Sequence, residues 1–312
     1  MDNKLPTIAV LMSTYNGEKY IREQLDSIFS QQGVEVKLFV RDDGSSDDTV
    51  EIIREYSKEY PVVINNDGEN VGPGESFMRL LYKYAEEPDI DYFAFSDQDD
   101  VWLEKKLIIA VQAINNCEEG KPILYSSNQF LYENGRNKGR RHKSIQSVEL
   151  LAHINKNTIA GCTFVFNKEM ARIVTNADKP DKRIIKYRLH DAWIMLVAII
   201  CGYVIYDDGC QMLYRIHENN VVGIKKTSFH DKAHRLARIL NRNSSNIRMI
   251  TAKELLRLYP SMDQESKRVL SLFANYRNSM RDKMMLLLNH EIIEGCVENA
   301  VVFRLKIILG MI

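Results

Sequence analysis

The first hundred residues alternate between continuous apolar runs and stretches whose apolar positions recur every three or four residues. "TIAVLMSTYN", Thr7 to Asn16, stays apolar until it ends in small polar residues, the pattern of a parallel strand buried on both faces. "GEKYIREQLDSIFSQ" then sets Tyr20, Ile21, Leu25, Ile28 and Phe29 on one helical stripe. "VEVKLFVRDDGSSDDT" predicts a second strand, a turn and a helix start, its acids and hydroxyls serving as N-cap candidates for "TVEIIREYSKEY". "VVINNDGENVGPGESFMRLLYKYAEE" repeats the unit, and "DYFAFSDQDD" supplies a fourth strand. Strands alternating with helices at this spacing predict an α/β fold with a mainly parallel sheet.

Ligands of such sheets sit beyond the carboxyl ends of the strands. The polar residues ending these runs, Ser13 to Asn16, Asp42 and Asp43, Asn70 to Gly74, and Asp97 to Asp100, are therefore expected to converge on one crevice. In "YFAFSDQDDVW" three carboxylates, Asp97, Asp99 and Asp100, fall within four residues. Like charges held together repel, and a divalent cation that accepts oxygen ligands and binds substrate phosphates relieves them. The alternative is that Asp99 or Asp100 caps a helix over "VWLEKKLIIAVQAI". For Asp42 and Asp43 the alternative is an Asx-type turn around "DDGSSD".

At 312 residues, 45% hydrophobic and 27% charged, the chain can bury one large core, with or without a small appendage. No run is long enough to span a bilayer, since "AWIMLVAIICGYVIY" meets polar residues too soon, and no signal-peptide pattern opens the chain, so a cytosolic location is expected. The five cysteines (Cys117, Cys162, Cys201, Cys210, Cys296) are scattered without the close pairing of zinc sites, which predicts reduced thiols. A balance of 42 acids and 42 bases hides an asymmetry: residues 1–120 carry 25 acids against 11 bases, leaving 17 against 31 for the rest. The basic excess is densest over 225–257, where Lys225, Lys226, Lys232, Arg235, Arg238, Arg242, Arg248, Lys253 and Arg257 face only Asp231 and Glu254. That suits an anionic surface or substrate, or a solvated helix face. Nucleic acid is not expected as a partner.

"STYNGEKYIREQLDSI", "VRDDGSSDDT", "NVGPGESFMRLL" and "SDQDDVW", in that order, resemble the nucleotide-sugar half of family 2 glycosyltransferases with the GT-A fold, most closely their bacterial rhamnosyltransferase branch. The match runs from about Thr7 to about Gly223. It implies a catalytic domain over 1–225, with a donor half (1–120) and an acceptor half (121–225), followed by a helical C-terminal extension over 226–312.

By this resemblance Ser13, Thr14 and Tyr15 line the nucleoside pocket, Asp43 with Asp42 beside it hydrogen-bonds the pyrimidine ring, and Gly72 and Gln98 belong to the donor site. Asp97 and Asp99 face the ribose and a diphosphate bound to Mg2+ or Mn2+. "YRLHDAWIMLVAIICG" resembles the motif opening the helix that floors the acceptor site, making Asp191 the general base of an inverting transfer. A helix N-terminus holds such a carboxylate while its dipole lowers the pKa. "MLYRIHENNVVG" matches the branch's Tyr-Arg-x-His-x-x-Asn pattern, which puts Arg215 near the phosphates and His217 on the metal or diphosphate, with Asn219, Asn220 and Gly223 following. "TIAGCTFVFNKEMA" resembles the acceptor-side strand, so Gly161, Cys162 and Thr163 border the acceptor together with His190; Trp193 either stacks on a sugar or packs in the core.

The implied activity is an inverting, metal-dependent transfer of L-rhamnose from dTDP-rhamnose onto a cell-surface polysaccharide or lipid-linked saccharide. Transfer from a UDP-sugar (glucose, galactose or N-acetylhexosamine) is the first alternative, and a sugar-nucleotide-binding protein without turnover is the second. A Rossmann oxidoreductase is excluded, because "STYNGEKY" follows the first strand in place of a Gly-x-Gly-x-x-Gly turn. At the other end, "SKRVLSLFANYRNSMRDKMMLLLNHEI" has Val269, Leu270, Phe273, Tyr276, Met280, Met284, Leu287 and Leu288 at the spacing of one amphipathic helix. "AVVFRLKIILGMI" is apolar with Arg304 and Lys306 and too short to span a membrane. These segments pack on the catalytic domain, form a dimer interface, or hold the enzyme against the inner face of the membrane.

Overall fold

A computed structural model describes residues 4–217, 246–295 and 299–312. Asn219, Asn220, Gly223, Cys296, the cations between Lys225 and Arg242, and the expected boundary at 225/226 lie outside the described residues. The strands are β1 (Thr7–Thr14), β2 (Glu35–Asp42), β3 (Val62–Asn65), β4 (Tyr92–Ser96), β5 (Val101–Trp102), β6 (Ile123–Glu133), β7 (Arg136–Arg140), β8 (Val165–Asn167) and β9 (Tyr203–Arg215). They form one sheet in the order β3-β2-β1-β4-β8-β6-β9-β5, with β7 paired to β6. From β3 to β4 the pairing is parallel, as the βα pattern demands. Beyond β4 the sheet is mixed: β8 runs antiparallel to β4 and β6, whereas β9 lies parallel to β6.

The helices are α1 (Ile21–Phe29), α2 (Thr49–Tyr56), α3 (Pro73–Tyr84), α4 (Lys106–Asn115), α5 (Leu150–Asn155), α6 (Lys168–Thr175) and α7 (Lys182–Cys201). After them come α8 (Ile247–Leu258), α9 (Gln264–Asn275), α10 (Met280–Leu288), α11 (His290–Glu294) and α12 (Ala300–Ile308). Helices cover both sheet faces, which explains the unbroken apolar run of β1. Ile8, Val10 and Met12 pack with α1, α2 and α4, and the alternate residues Ala9 and Leu11 pack with α3, α6 and α7. The second core continues without a break into the C-terminal helices through Leu255, Tyr259, Leu270 and Phe273.

Two expectations change here. The helix after the acidic run starts at Lys106, so neither Asp99 nor Asp100 caps it. The single amphipathic helix expected over 266–292 is broken into α9, α10 and the start of α11; the first break is at 276–279, where Ser279 caps α10 by accepting from the Asp282 N–H (3.2 Å). Val269, Leu270, Phe273 and Tyr276 are buried in the core, whereas Met280, Met284 and Leu288 are exposed.

Candidate active site

The donor side is built from the ends of β1, β2 and β4. Asp42 is fully buried; it accepts from the Thr14 hydroxyl (2.9 Å), the Ser45 hydroxyl (2.5 Å) and the Ser45 and Gly44 N–H groups (2.8 and 3.1 Å). Asp42, expected in the donor site beside Asp43, closes the Asx-type turn that is the alternative for this stretch. Asp43 keeps its place at the end of β2 and accepts from Arg41 Nη1 (2.6 Å) and from the Val71 and Gly72 N–H groups (2.8 Å each). It fixes the loop before α3, where Gly72 sits at φ 82° and Pro73 opens the helix. Gln98 braces β1 against β4: its amide accepts from the Tyr15 N–H (2.9 Å) and donates to the Tyr15 carbonyl (3.0 Å). A Cβ on Gly17 would lie 2.3 Å from Gln98 Oε1, so only glycine admits this brace. The Tyr15 ring is half exposed and Ser13 is partly accessible beside it.

Between β4 and β5 the chain turns, and its carboxylates part company. Asp97 and Asp100 face Cys162, with one ligand atom from each of the three within 4.8 Å of the others. Asp99 instead meets His217 at 2.6 Å. The expected set of Asp97, Asp99 and His217 is therefore split into a pair and a neighbouring triad. Burial, then the charges of Asp99 and Asp191, push the Asp97 carboxyl up to about 7, and the Cys162 thiol and the Arg141 guanidinium oppose the rise. Asp100 is driven well above the carboxylate range by burial and by Asp99 and Asp97. Its Oδ1 accepts from the Arg215 N–H (3.0 Å), while its Oδ2 is buried without a hydrogen-bond partner. Crowded carboxylates, an orphaned buried oxygen and an adjacent imidazole make a donor set that fits a divalent cation. Arg215 braces this strand from β9, donating to the Asp99 carbonyl (2.7 Å) and Glu23 (2.5 Å) beneath the Tyr20 ring.

Across the crevice, α7 is kinked at Leu189, whose φ of 66° and ψ of 172° are costly for a non-glycine residue. The kink makes His190 and Asp191 the start of a new helical segment. Asp191 Oδ1 accepts from the Ala192 N–H (2.7 Å), and the Gly161 N–H also reaches the carboxylate. Burial outweighs these contacts and Arg141, so the Asp191 carboxyl rises to about 6 rather than falling at the helix terminus. Gly161 opens a 3-10 turn (Gly161–Thr163) against this residue: a Cβ there would come within 2.8 Å of His190 Nε2 and 2.9 Å of the Asp191 Cβ.

Other acceptor-side expectations are corrected. Trp193 is a buried core residue packed against Tyr259 (6.2 Å), so no sugar reaches its ring. His190 is buried, stacked on Phe77 (4.1 Å) and edge-on to Phe95 (4.8 Å), and burial lowers its pKa to about 3, leaving it neutral. Thr163 is buried with its hydroxyl donated to the Ala160 carbonyl (2.7 Å), and Cys162 turns to the carboxylates. Two residues that the sequence did not single out join the site. Arg141 lies where its charge lowers the pKa of Asp97, Cys162 and Asp191, and its Nη1 is buried without a hydrogen-bond partner. Lys106 is fully buried over the Trp102 ring (3.9 Å), near Cys162 and Asp100, and burial lowers its pKa to about 8. Neither stands out in a linear reading: Arg141 sits in "GRRHK" next to Arg140, which is exposed and pairs with Asp208.

Residues 9–173, more than half the chain, match the family description "Glycosyl transferase family 2". The chain is a family 2 glycosyltransferase. This glycosyltransferase is 35% identical over 241 residues to the dTDP-rhamnosyl transferase RfbG of Shigella flexneri, a match covering 74% of this chain and 80% of that one. It is 27% identical over 172 residues to the putative teichuronic acid biosynthesis glycosyltransferase TuaG of Bacillus subtilis (strain 168), covering 53% and 63% of the two chains. Among solved structures, S. aureus TarS 1–349 in complex with UDP-GlcNAc superposes with a TM-score of 0.56 at 18% identity, covering 98% of this chain and 92% of that one. That likeness supports the GT-A-like fold, a mixed curled sheet with flanking helices and a C-terminal helical region. No helix among the described residues is long and apolar enough to cross a membrane.

Proposed function

We propose that this glycosyltransferase moves L-rhamnose from dTDP-β-L-rhamnose, with inversion, onto a saccharide or lipid-linked acceptor. The observation that carries the chemistry is that one turn, Gly161–Thr163, meets both acids, Cys162 facing Asp97 and Gly161 lying against Asp191, so a base and a diphosphate-side acid share one crevice. The donor assignment rests on the 35% identity to a dTDP-rhamnosyl transferase. Asp191, with a pKa near 6, is ionised at neutral pH yet basic enough to take a proton. It removes the acceptor hydroxyl proton as that oxygen attacks the anomeric carbon; the bond from that carbon to the diphosphate oxygen breaks, and its electron pair leaves with dTDP.

The Ala192 and Gly161 N–H groups hold Asp191 in place for this attack. Mg2+ or Mn2+, held by Asp97 and Asp100 beside the Asp99–His217 pair, would supply charge that offsets the negative charge growing on the leaving diphosphate. Tyr15 offers a half-exposed ring to the nucleobase, and the loop ordered by Asp43 and Gly72 frames it. The test is thermal stabilisation and turnover across dTDP-rhamnose, UDP-glucose, UDP-galactose and UDP-GlcNAc, each with Mn2+ and with chelator. Stabilisation by dTDP-rhamnose with an inverted product is expected; preference for a UDP-sugar would reassign the donor.

A further inference from the structure

The outward side of the last helices is apolar where a folded chain normally places polar groups. On α10, Met280, Met284 and Leu288 are spaced four residues apart and share one face. On α12, Val301, Leu305 and Ile308, at intervals of four and three residues, also share one face. These six side chains are 43–74% exposed, whereas Leu286, Phe303 and Ile307 on the opposite sides are fully buried. Each helix is thus apolar inward and outward, and the inner face alone accounts for its place in the fold. Arg304 Nε donates to the Leu287 carbonyl (3.1 Å) and Lys283 Nζ to the Ile308 carbonyl (3.4 Å), which holds the two helices together as one surface.

Charge selects the occupant. The two helices carry Arg281, Lys283, Arg304 and Lys306 against one acid, Asp282. Among the described residues, Arg281, Lys283 and Arg304 form no ion pair with a carboxylate. A second copy on this face would bring these cations near their own equivalents, at a cost that an anionic surface does not carry. We propose that the α10–α12 face docks the enzyme on an anionic lipid bilayer, its apolar side chains entering the headgroup boundary and its cations meeting lipid phosphates. The helices lie on the membrane and do not cross it. This docking is independent of the donor and of the chemistry at Asp191.

Truncating 301–312 cannot test it, because Phe303, Ile307 and Ile312 belong to the core. The test uses the full chain with Leu288→Gln, Leu305→Gln and Ile308→Gln combined, and separately Arg281→Gln, since Arg304 and Lys283 also hold the two helices together. Each is sedimented with vesicles of phosphatidylglycerol and phosphatidylethanolamine, or of phosphatidylcholine alone. Wild type should pellet with the anionic vesicles and stay in solution with the neutral ones. Affinity should fall roughly tenfold for each apolar side chain withdrawn and about fivefold for the cation lost, with thermal midpoint and donor turnover retained. Unchanged partitioning of the triple variant overturns the proposal, as does equal binding to neutral vesicles. A concentration-dependent dimer abolished by the triple variant overturns it in favour of a second copy.

Discussion

Asp191 is an acid that the fold holds at a cost. Its pKa of about 6 lies above the ordinary carboxylate value, so its contribution to stability is fully present below about pH 4 and is lost as pH rises through 6. Asp191→Asn removes that loss. The variant should match wild type in thermal stability at pH 4 and exceed it at pH 8, by on the order of 2 kcal/mol, while transfer falls at least about a hundredfold and donor affinity moves only a few-fold. Weakened donor binding instead would show that Asp191 holds the nucleotide. Arg141 lowers the same pKa, so Arg141→Met should move the acid limb of kcat/KM upward from about 6; an unmoved limb would place Arg141 outside the site.

At the scale of elements, three local devices position the Asp191 carboxylate: the kink at Leu189, the 3-10 turn at Gly161–Thr163, and the start of the helical segment at His190. They are interlocked, because His190 is clamped between Phe77 and Phe95 and cannot yield to a group added at Gly161. Gly161→Ala should therefore displace Asp191. An ångström of misplacement costs roughly a hundredfold in rate, so kcat should drop by that order while the donor Kd holds. Single-turnover kinetics with isothermal titration would separate the two, and an unchanged kcat would mean the turn relaxes without moving the base.

For the whole molecule, the decisive feature is one core shared by the sheet and the C-terminal helices. Trp193 lies in it, against Tyr259, two residues after Asp191 in the segment of α7 that follows the kink. Trp193→Ala should lower unfolding free energy by about 3–5 kcal/mol, whereas Trp193→Phe should cost less and leave the acceptor KM unchanged, as denaturant melts and steady-state kinetics would report. A raised acceptor KM in Trp193→Phe would return the residue to the sugar site. Through this shared core, the α10–α12 face is held rigidly relative to the crevice, so docking it on a bilayer would fix the crevice relative to the lipid plane.

The alternation of apolar runs determined the βα units, the parallel first half of the sheet and the strand ends where polar residues gather. Period and punctuation are local properties, and burial of β1 on both faces leaves an unbroken apolar signature. The motif order likewise singled out Asp97, Asp99 and Asp191 as candidates. Tertiary structure decided what each side chain does there. Spacing along "SDQDDVW" cannot say that Asp99 turns to His217 while Asp100 turns inward to Cys162, because the turn between β4 and β5 and the antiparallel pairing of β5 with β9 set those directions. Nor can it distinguish a tryptophan that stacks on sugar from one packed against Tyr259, or mark Arg141 among neighbouring cations. Burial and electrostatic neighbourhood are made by contacts between residues far apart in the chain, and only the assembled fold supplies them.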